Sequence, residues 1–149
     1  MRPMPLLHKM NELFYAGCAQ GELRIRLCPK CKARFHFTSL WCPYCYSQEL
    51  SYEKASGRGT VSHYTVCHTS PYPELDQFTP YILALIELDE GVRMMSNVLD
   101  CPPERIHVGM RVEVRFETRG PGSTGPDPED ATKPGETNQF VVLPMFVPA

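Results

Sequence analysis

Two closely spaced cysteine pairs constrain this chain more than any other feature of its sequence. Cys28 and Cys31 form one Cys-x-x-Cys pair, and Cys42 and Cys45 form a second pair after ten intervening residues. Four thiolates at this spacing can converge on one ion with tetrahedral geometry, and soft thiolate ligands favour zinc. Two disulfides or a redox pair are the alternative interpretation of the same residues. We predict a structural zinc bound by all four cysteines, because four thiolates leave no open position for catalysis.

The other three cysteines, Cys18, Cys67 and Cys101, lack paired spacing. An odd remainder of this kind favours a reducing compartment over a secreted disulfide framework. The N-terminal residues contain no apolar run typical of a signal peptide. No stretch approaches the roughly 18 apolar residues that a membrane span requires. We therefore expect a cytoplasmic protein without a membrane partner.

Charge is distributed unevenly along the chain. Residues 1–50 contain seven Lys/Arg and three Asp/Glu, a balance of +4, whereas residues 51–149 contain eight and fourteen, a balance of −6. The basic half could attract the phosphates of a nucleic acid or a nucleotide cofactor, although solvated lysines and arginines around a zinc site explain it equally well. The whole chain has a net charge of −2 and a pI near 6.2, unlike a dedicated nucleic-acid binder. We expect no nucleic-acid partner.

Apolar or small residues recur at helical spacing near the N-terminus, at Leu6, Met10, Leu13, Phe14 and Gly17. This spacing predicts a short amphipathic helix over residues 5–16, which ends at Gly17 because glycine best accepts a left-handed C-terminal cap. A helix of about 12 residues is marginal alone in water. It must therefore dock, either on its own domain or on a partner.

Alternating residues on both sides of the first cysteine pair predict a small hairpin. Leu23, Ile25 and Leu27 alternate with two arginines, and Phe35 and Phe37 flank a histidine on the return. Such a hairpin buries little surface, so it needs a metal for stability. Beside the second cysteine pair, we expect Trp41 to pack on this zinc ribbon rather than to stack on a base.

From residue 50 onward the sequence predicts successive strands. Residues 50–56 and 60–69 are interpreted as one long strand interrupted by Gly57-Arg58-Gly59, since glycines inside a strand suggest a bulge or sharp bend. Further strands are predicted at 81–88, 92–99, 111–117 and 140–147, with a proline-rich loop at 70–80 and a flexible loop at 119–138. Five strands in this order suit a small OB-fold barrel, and a sandwich of two small sheets is the alternative.

The predicted fold class is therefore mainly β. We expect an N-terminal helix and a rubredoxin-like zinc ribbon in residues 1–48, followed by a five-stranded OB-fold barrel in residues 49–149.

Four residues outside the cysteine pairs are candidates for binding. Arg58 lies between two glycines, where a ligand could approach the backbone closely, and its guanidinium suits phosphate. An arginine simply tolerated in a bulge is equally consistent with the sequence. Tyr72, Phe78 and Tyr81 flank the proline-rich loop, and aromatic residues are common anchors of interfaces. Core packing explains Tyr81 equally well.

A catalytic cysteine is not expected. Cys67 is followed by His68, and His63 precedes it in the same predicted strand. A nucleophile needs its base within hydrogen-bond reach. Adjacent residues on a strand point to opposite faces, so Cys67 and His68 are poorly placed for each other. We predict no catalytic residue in this chain.

Several motifs occur in a defined order: Phe14-Tyr-Ala-Gly17, Gly21-Glu-Leu23, Cys28-Pro-x-Cys31, Cys42-Pro-x-Cys45, Ser56-Gly-Arg-Gly-Thr-Val61, Pro80-Tyr81, Ile86-Glu-Leu-Asp-Glu-Gly-Val92, Gly109-Met-Arg-Val-Glu-Val114 and Leu143-Pro-Met-Phe. In this order the chain resembles the family once called DUF35, in which a rubredoxin-like zinc ribbon precedes an OB-fold domain. The similarity covers nearly the whole chain. The insert before the last strand is longer than is usual for that family.

The resemblance implies acyl-CoA chemistry. Members of the family occur with thiolase-like enzymes or fused to acyl-CoA hydratase-type domains; a similar subunit joins two thiolase-fold proteins in the bacterial acetyltransferase that acylates phloroglucinols. It implies a noncatalytic subunit of a thiolase-type acyltransferase complex, with thiolase-fold or ketosynthase-like partners, a structural zinc, and coenzyme A or acyl-CoA shared with a partner. Arg58, Tyr72, Phe78 and Tyr81 are then candidates for a CoA-arm or partner surface. A nucleic-acid-binding zinc-ribbon and OB-fold protein is the alternative function.

Overall fold

The computed structural model describes residue 5 and residues 7–71, 73–120 and 141–149. Its elements in chain order are α1 (Glu12–Ala19), β1 (Arg24–Leu27), β2 (Arg34–Phe35), β3 (Ser51–Lys54), β4 (Arg58–Cys67), a 3-10 helix (Pro73–Phe78), β5 (Tyr81–Leu88), β6 (Arg93–Val98), β7 (Arg111–Arg119) and β8 (Val141–Pro148). Among the described residues, no helix has the length and apolarity needed to cross a membrane.

The five strands β4 to β8 form a closed barrel in the order β4-β5-β6-β8-β7. The three long pairings, β4 with β5, β5 with β6 and β7 with β8, are antiparallel, and a short parallel pairing of Val98 with Phe146 closes the barrel between β6 and β8. Closure removes the exposed strand edges that an open sheet would present. The predicted mainly β fold, with a zinc ribbon followed by an OB-fold barrel, is confirmed.

Strand β5 shows why these residues form a barrel. Its side chains alternate strictly between half-buried and buried along Tyr81–Leu88, which is the pattern of a strand with one face toward a core. Ile82, Ala84, Ile86 and Leu88 point into the barrel and belong to its core. The predicted strand at 81–88 therefore has its predicted bounds, whereas β7 extends two residues beyond the predicted 117. Most of the loop predicted at 119–138 lies outside the described residues.

The interrupted long strand predicted from residues 50–69 is wrong. Its first part, β3, pairs with β1 in a separate three-stranded sheet of order β2-β1-β3, and only β4 belongs to the barrel. The break lies at Gly57, which has a φ of +75°, a left-handed conformation that glycine adopts without strain. Arg58 and Gly59, which we expected in the bulge, are the first two residues of β4. The change of sheet, rather than a barrel corner, explains the glycines.

Helix α1 also differs from its prediction. It spans Glu12–Ala19 rather than 5–16, and Gly17 lies inside it instead of ending it. The chain leaves the helix at Gly21, which has a φ of +73°, while the N–H groups of Gly21 and Glu22 donate to the carbonyls of Cys18 and Gly17. These two bonds are the Schellman arrangement of a helix C-terminus.

The buried face of α1 consists of Phe14, Gly17 and Cys18, whereas Leu13, which we expected on that face, is exposed. Phe14 and Cys18 join one continuous core with Ile25 of β1 and Phe146 of β8. The helix therefore docks on its own chain. It ties the zinc ribbon to the barrel.

Candidate functional site

The four paired cysteines meet at one point of the ribbon. Their sulfur atoms all lie within 4.8 Å of one another, with Cys28 Sγ 3.6 Å from Cys45 Sγ and Cys31 Sγ 3.5 Å from Cys42 Sγ. A tetrahedral zinc with Zn–S bonds of about 2.3 Å requires sulfur–sulfur distances of about 3.8 Å. A disulfide requires about 2 Å, so the disulfide alternative does not fit these cysteines. The site fits a structural zinc ion held by four thiolates.

Each cysteine pair lies in a tight turn of the same shape, here called a knuckle. In the first, the N–H of Lys32 donates to the carbonyl of Cys28 at 2.9 Å, and Lys32 has a φ of +63°. In the second, the N–H of Tyr46 donates to the carbonyl of Cys42 at 2.9 Å, and Tyr46 has a φ of +59°. This repetition places two sulfurs of each pair on the same side of the backbone. Each Cys-x-x-Cys knuckle therefore supplies two of the four sulfur ligands.

Backbone amides of the knuckles stabilise negative charge on the sulfurs. The N–H groups of Cys31 and Lys30 lower the pKa of the Cys28 thiol to about 7. Burial raises the pKa of Cys42, but the N–H groups of Tyr44 and Cys45, together with the sulfurs of Cys31 and Cys45, outweigh burial, and the net pKa is lowered. Turns of this kind therefore favour the thiolate, which is the form that binds metal.

Without a cation, the backbone amides cannot keep all four sulfurs as thiolates. The N–H of Ala33 lowers the pKa of Cys31, but burial and the sulfurs of Cys42, Cys45 and Cys28 outweigh it and raise the pKa to about 12. Four negative charges at these distances repel one another. A divalent cation removes the repulsion, so the donor set fits zinc in its charge as well as its geometry.

A second candidate surface lies on the outside of the barrel. Leu83 and Leu85 of β5 are only half-buried, and Met95 of β6 is 65% exposed opposite Leu85. We call these three residues the aliphatic face. It lies on the second and third strands of the barrel, the strands with which OB-folds bind their ligands. On the same two strands, Arg93 and Glu87 form an ion pair at 2.8 Å, so their charges neutralise each other.

Of the predicted binding residues that the structure describes, Arg58 lies far from Tyr81. Arg58 is exposed at the first position of β4, and Tyr81 is half-buried opposite Cys67 at the other end of that strand. At about 3.3 Å per residue, roughly 25–30 Å separates the two ends. Phe78, partly exposed, ends the 3-10 helix close to Tyr81 in sequence, and Tyr72 lies outside the described residues. Arg58 and Tyr81 are therefore at opposite ends of β4, and the binding role of these residues stays a prediction.

The cysteine and histidines of β4 do not pair with one another in the described structure. His63 Nδ1 lies 2.9 Å from the hydroxyl of Ser62. Cys67 is instead the cross-strand partner of Tyr81, and its thiol raises the pKa of Tyr81. The buried Cys18 has its pKa raised to about 12 by burial, which keeps its thiol protonated and unreactive.

Two groups of residues were missed by the sequence analysis. Trp41, expected to pack on the ribbon, is half exposed, and Tyr44 and Tyr46 beside it are more exposed still. The aliphatic face was missed because the strand at 81–88 was predicted without assigning its two faces. A signal was present, since residues 81–86 are apolar without interruption, and such a run makes both faces of a strand apolar.

Comparison with known proteins gives matches in both parts of the chain. Residues 16–51 match the family model of the ChsH2 rubredoxin-like zinc ribbon domain, and residues 52–117 match that of the ChsH2 C-terminal OB-fold domain. A DUF35 domain-containing scaffold protein of Methanothermobacter thermautotrophicus is 36% identical over 100 residues, covering 66% of this chain and 74% of that protein. A probable enoyl-CoA hydratase alpha subunit of Thermomonospora curvata is 33% identical over 126 residues, covering 85% of this chain and 39% of that protein.

A solved structure also resembles the whole fold. The Ltp2-ChsH2(DUF35) aldolase structure contains a chain that superimposes with a TM-score of 0.74 at 28% identity, covering 97% of this chain and 98% of that one. Among curated relatives the chain spans only part of the length, such as 39% of the Thermomonospora subunit and 54% of a scaffold protein of Methanocaldococcus jannaschii. The order of zinc ribbon and barrel is the same in both domain matches and in the structure. The chain belongs to the DUF35 family, with a ChsH2-type zinc ribbon followed by an OB-fold domain.

Proposed function

We propose that this chain is a noncatalytic subunit of an acyl-CoA enzyme complex, specifically a thiolase-type acyltransferase, in which it holds the enzyme subunits together. The observation that carries the proposal is the aliphatic face. Its three apolar side chains lie where an OB-fold binds its ligand, and none of them contributes to the barrel core. Exposed apolar surface of this kind is typical of a protein interface.

The names of the relatives support the enzyme class. They include scaffold proteins, a probable enoyl-CoA hydratase alpha subunit and a chain solved with an aldolase. A scaffold, a hydratase subunit and an aldolase partner share one theme, a DUF35 chain beside an enzyme of acyl-CoA metabolism. The thiolase fold of the partner comes from the family resemblance and forms the more specific part of the proposal.

The noncatalytic role is supported by the arrangement of the nucleophiles. Cys67 lies opposite Tyr81 rather than opposite a histidine, and burial keeps Cys18 protonated. The four ribbon cysteines saturate a tetrahedral ion, so a zinc bound there has no position for a substrate. The acyl group would then be carried by a cysteine of the partner enzyme.

Two separate regions of the barrel are candidates for contact with coenzyme A. Tyr81 lies on the same side of β5 as Leu83 and Leu85 and would contact the apolar part of an acyl or pantetheine arm, together with Phe78, which precedes it by three residues. Arg58, at the opposite end of β4, is exposed and would contact a phosphate; it forms no salt bridge among the described residues, and its charge also helps to lower the pKa of Asp89. The separation of the two ends makes a single CoA molecule spanning them a poor fit.

The alternative of nucleic-acid binding is disfavoured by the same face. Single-strand binders combine stacked aromatic rings with a continuous basic groove. Here the central residues are aliphatic, and the nearest arginine, Arg93, is paired with Glu87.

The test is co-expression of this chain with the thiolase-fold proteins of the source organism, followed by gel filtration and an acyl-transfer assay. We expect a stable hetero-oligomer whose assembly or turnover is lost when this chain is omitted. Met95→Lys should prevent assembly without unfolding the chain, because Met95 is 65% exposed. Val108→Lys is the matched control, because Val108 is 63% exposed but lies outside the aliphatic face. Enzyme subunits that assemble and turn over equally well alone would refute the scaffold role, and acyl transfer by the isolated chain would refute the noncatalytic role.

A further inference from the structure

The second zinc knuckle presents four large apolar side chains to solvent. Leu40 is 49% exposed, Trp41 50%, Tyr44 70% and Tyr46 75%. We call these four residues the aromatic knuckle. Tryptophan and tyrosine dominate the binding energy of protein interfaces, and a contiguous exposed group of them marks an interaction site.

The first knuckle acts as an internal comparison for the second. Both have the pattern Cys-Pro-x-Cys-x, and the two variable positions hold Lys30 and Lys32 in the first knuckle but Tyr44 and Tyr46 in the second. Lys32 and Tyr46 share the same left-handed conformation, with φ of +63° and +59°. The turn therefore accepts lysine at both positions. Folding of the knuckle does not require the tyrosines, so their presence needs another explanation.

The aromatic knuckle is held rigidly. The N–H of Cys42 donates to the carbonyl of Ser47 at 2.9 Å, and the N–H of Trp41 donates to the hydroxyl of Ser39 at 3.3 Å. With the zinc site, these bonds fix the backbone from which the rings project, so little conformational entropy is lost when a partner binds. Because Cys31 Sγ lies 3.5 Å from Cys42 Sγ, the lysine-bearing knuckle lies directly beside the aromatic one.

The charges beside the aromatic knuckle indicate the chemistry of the partner surface that would bind it. Lys30 and Lys32 are exposed, and neither forms a salt bridge within the described part of the chain, whereas Arg34 is paired with Glu53 at 2.7 Å. A complementary surface would therefore have an apolar groove for the rings and carboxylates at its border. Two unpaired lysines are too few for the phosphate contacts of a nucleic-acid binder, and Leu40 offers no ring for stacking.

We propose that the aromatic knuckle docks into an apolar groove, bordered by Asp and Glu side chains, on the enzyme subunit of the complex. This proposal rests on the proposed function and names the surface through which the zinc ribbon carries it out. The aliphatic face of the barrel is a separate surface, so the ribbon and the barrel would each contribute an interface.

Trp41 provides a direct probe, because it is the only tryptophan in the chain. The full chain is labelled with 5-fluorotryptophan and combined with the unlabelled thiolase-fold subunits of the same organism. In the free chain, the single fluorine resonance should shift between H2O and D2O, because Trp41 is half exposed. In the complex, we expect that solvent shift to disappear because the ring is covered.

Two double variants test the residues themselves. Tyr44→Lys with Tyr46→Lys gives the second knuckle the residues of the first, and we expect zinc content to stay unchanged while the affinity for the enzyme subunit falls about 100-fold or more. Lys30→Glu with Lys32→Glu should weaken binding about tenfold at low salt and less at high salt. Val108→Lys is the control for added charge on an exposed apolar position, and its affinity should match that of the wild type.

The outcomes separate this inference from the proposed function. A complex that forms while Trp41 keeps its solvent shift, or that tolerates the double tyrosine variant, overturns the aromatic knuckle as the docking site and leaves the scaffold role intact. Failure of the wild-type chain to bind any of these subunits overturns both. A single-stranded 20-nucleotide DNA that removes the solvent shift assigns the surface to nucleic acid and also overturns the inference.

Discussion

Substitution of Gly57 tests the junction between the ribbon and the barrel. Gly57 has a φ of +75°, and a Cβ added there would lie 2.4 Å from Cγ1 of Val114. The glycine cannot easily recede, because its carbonyl accepts a hydrogen bond of 2.7 Å from the N–H of Val114. Alanine at this position therefore suffers both from the left-handed backbone and from a collision with β7.

Gly91 is a matched control, because it has a φ of +77° and no heavy atom within 4 Å of an added Cβ. Alanine in the left-handed region costs roughly 1–2 kcal/mol, offset by about 0.4–1 kcal/mol of entropy lost from the unfolded chain. We expect Gly91→Ala to cost about 1 kcal/mol. Overpacking adds about 1–3 kcal/mol, so Gly57→Ala should cost about 2–4 kcal/mol.

Both variants are measured by urea unfolding of the zinc-loaded protein, with the slope m compared to ensure that the transitions are equivalent. A difference of about 2 kcal/mol corresponds to a gap of about 4–8 °C in Tm for a chain of this size. If the two variants agree within about 0.5 kcal/mol at unchanged m, the argument from the Val114 contact is wrong.

Three further predictions concern the metal, nucleic acid and pH. The purified chain should hold one tightly bound zinc, and Cys42→Ser should remove hydrogen-exchange protection from the ribbon strands before the barrel; elemental analysis that finds neither zinc nor iron would contradict this. The chain should not bind single-stranded DNA at physiological salt, and micromolar binding that weakens steeply with added salt would prove this wrong. Burial lowers the pKa of His36 from 6.5 to about 4, so the unfolded state binds more protons between these values and stability should fall by up to about 3 kcal/mol as the pH drops through this range. His36→Phe should remove this part of the pH dependence. The measurement is the difference in urea midpoint between wild type and variant at each pH, in which the titration of carboxylates and zinc ligands cancels. Identical pH profiles of the two proteins would refute the prediction.

The barrel could be predicted from the sequence because its signal is local. A short apolar run bounded by turn residues marks a strand, so the strand at 81–88 was predicted with its observed bounds. The choice of which strand pairs with which depends on residues far apart in sequence, and the assignment of residues 50–56 to a barrel strand was wrong for that reason. The residues of β3 have a strand pattern, but that pattern does not indicate whether Tyr52 pairs with Arg26 of the ribbon or with a barrel strand.

The helix shows a different limit. Two glycines four residues apart, Gly17 and Gly21, could each end a helix, and propensity does not choose between them. Tertiary packing distinguishes the two glycines, because an added Cβ on Gly17 would lie 2.6 Å from the side chain of Arg24. Gly17 is small so that β1 can approach the helix closely, and Gly21 supplies the left-handed turn. A contact with a residue seven positions later therefore decided where the helix ends.

The zinc site connects stability to the proposed docking. The ribbon's own cluster consists of Cys28, Phe35 and Cys42 with a few partly buried neighbours, too little apolar surface to fold alone. In a domain stabilised by burial, residues such as Trp41 and Tyr44 would be needed inside. Because metal ligation supplies the folding energy, these side chains can remain outside on a fixed backbone. A four-thiolate zinc site with no open position is thus suited to rigid presentation of an interface, and that is the role which the lysine-for-tyrosine exchange between the two knuckles would test.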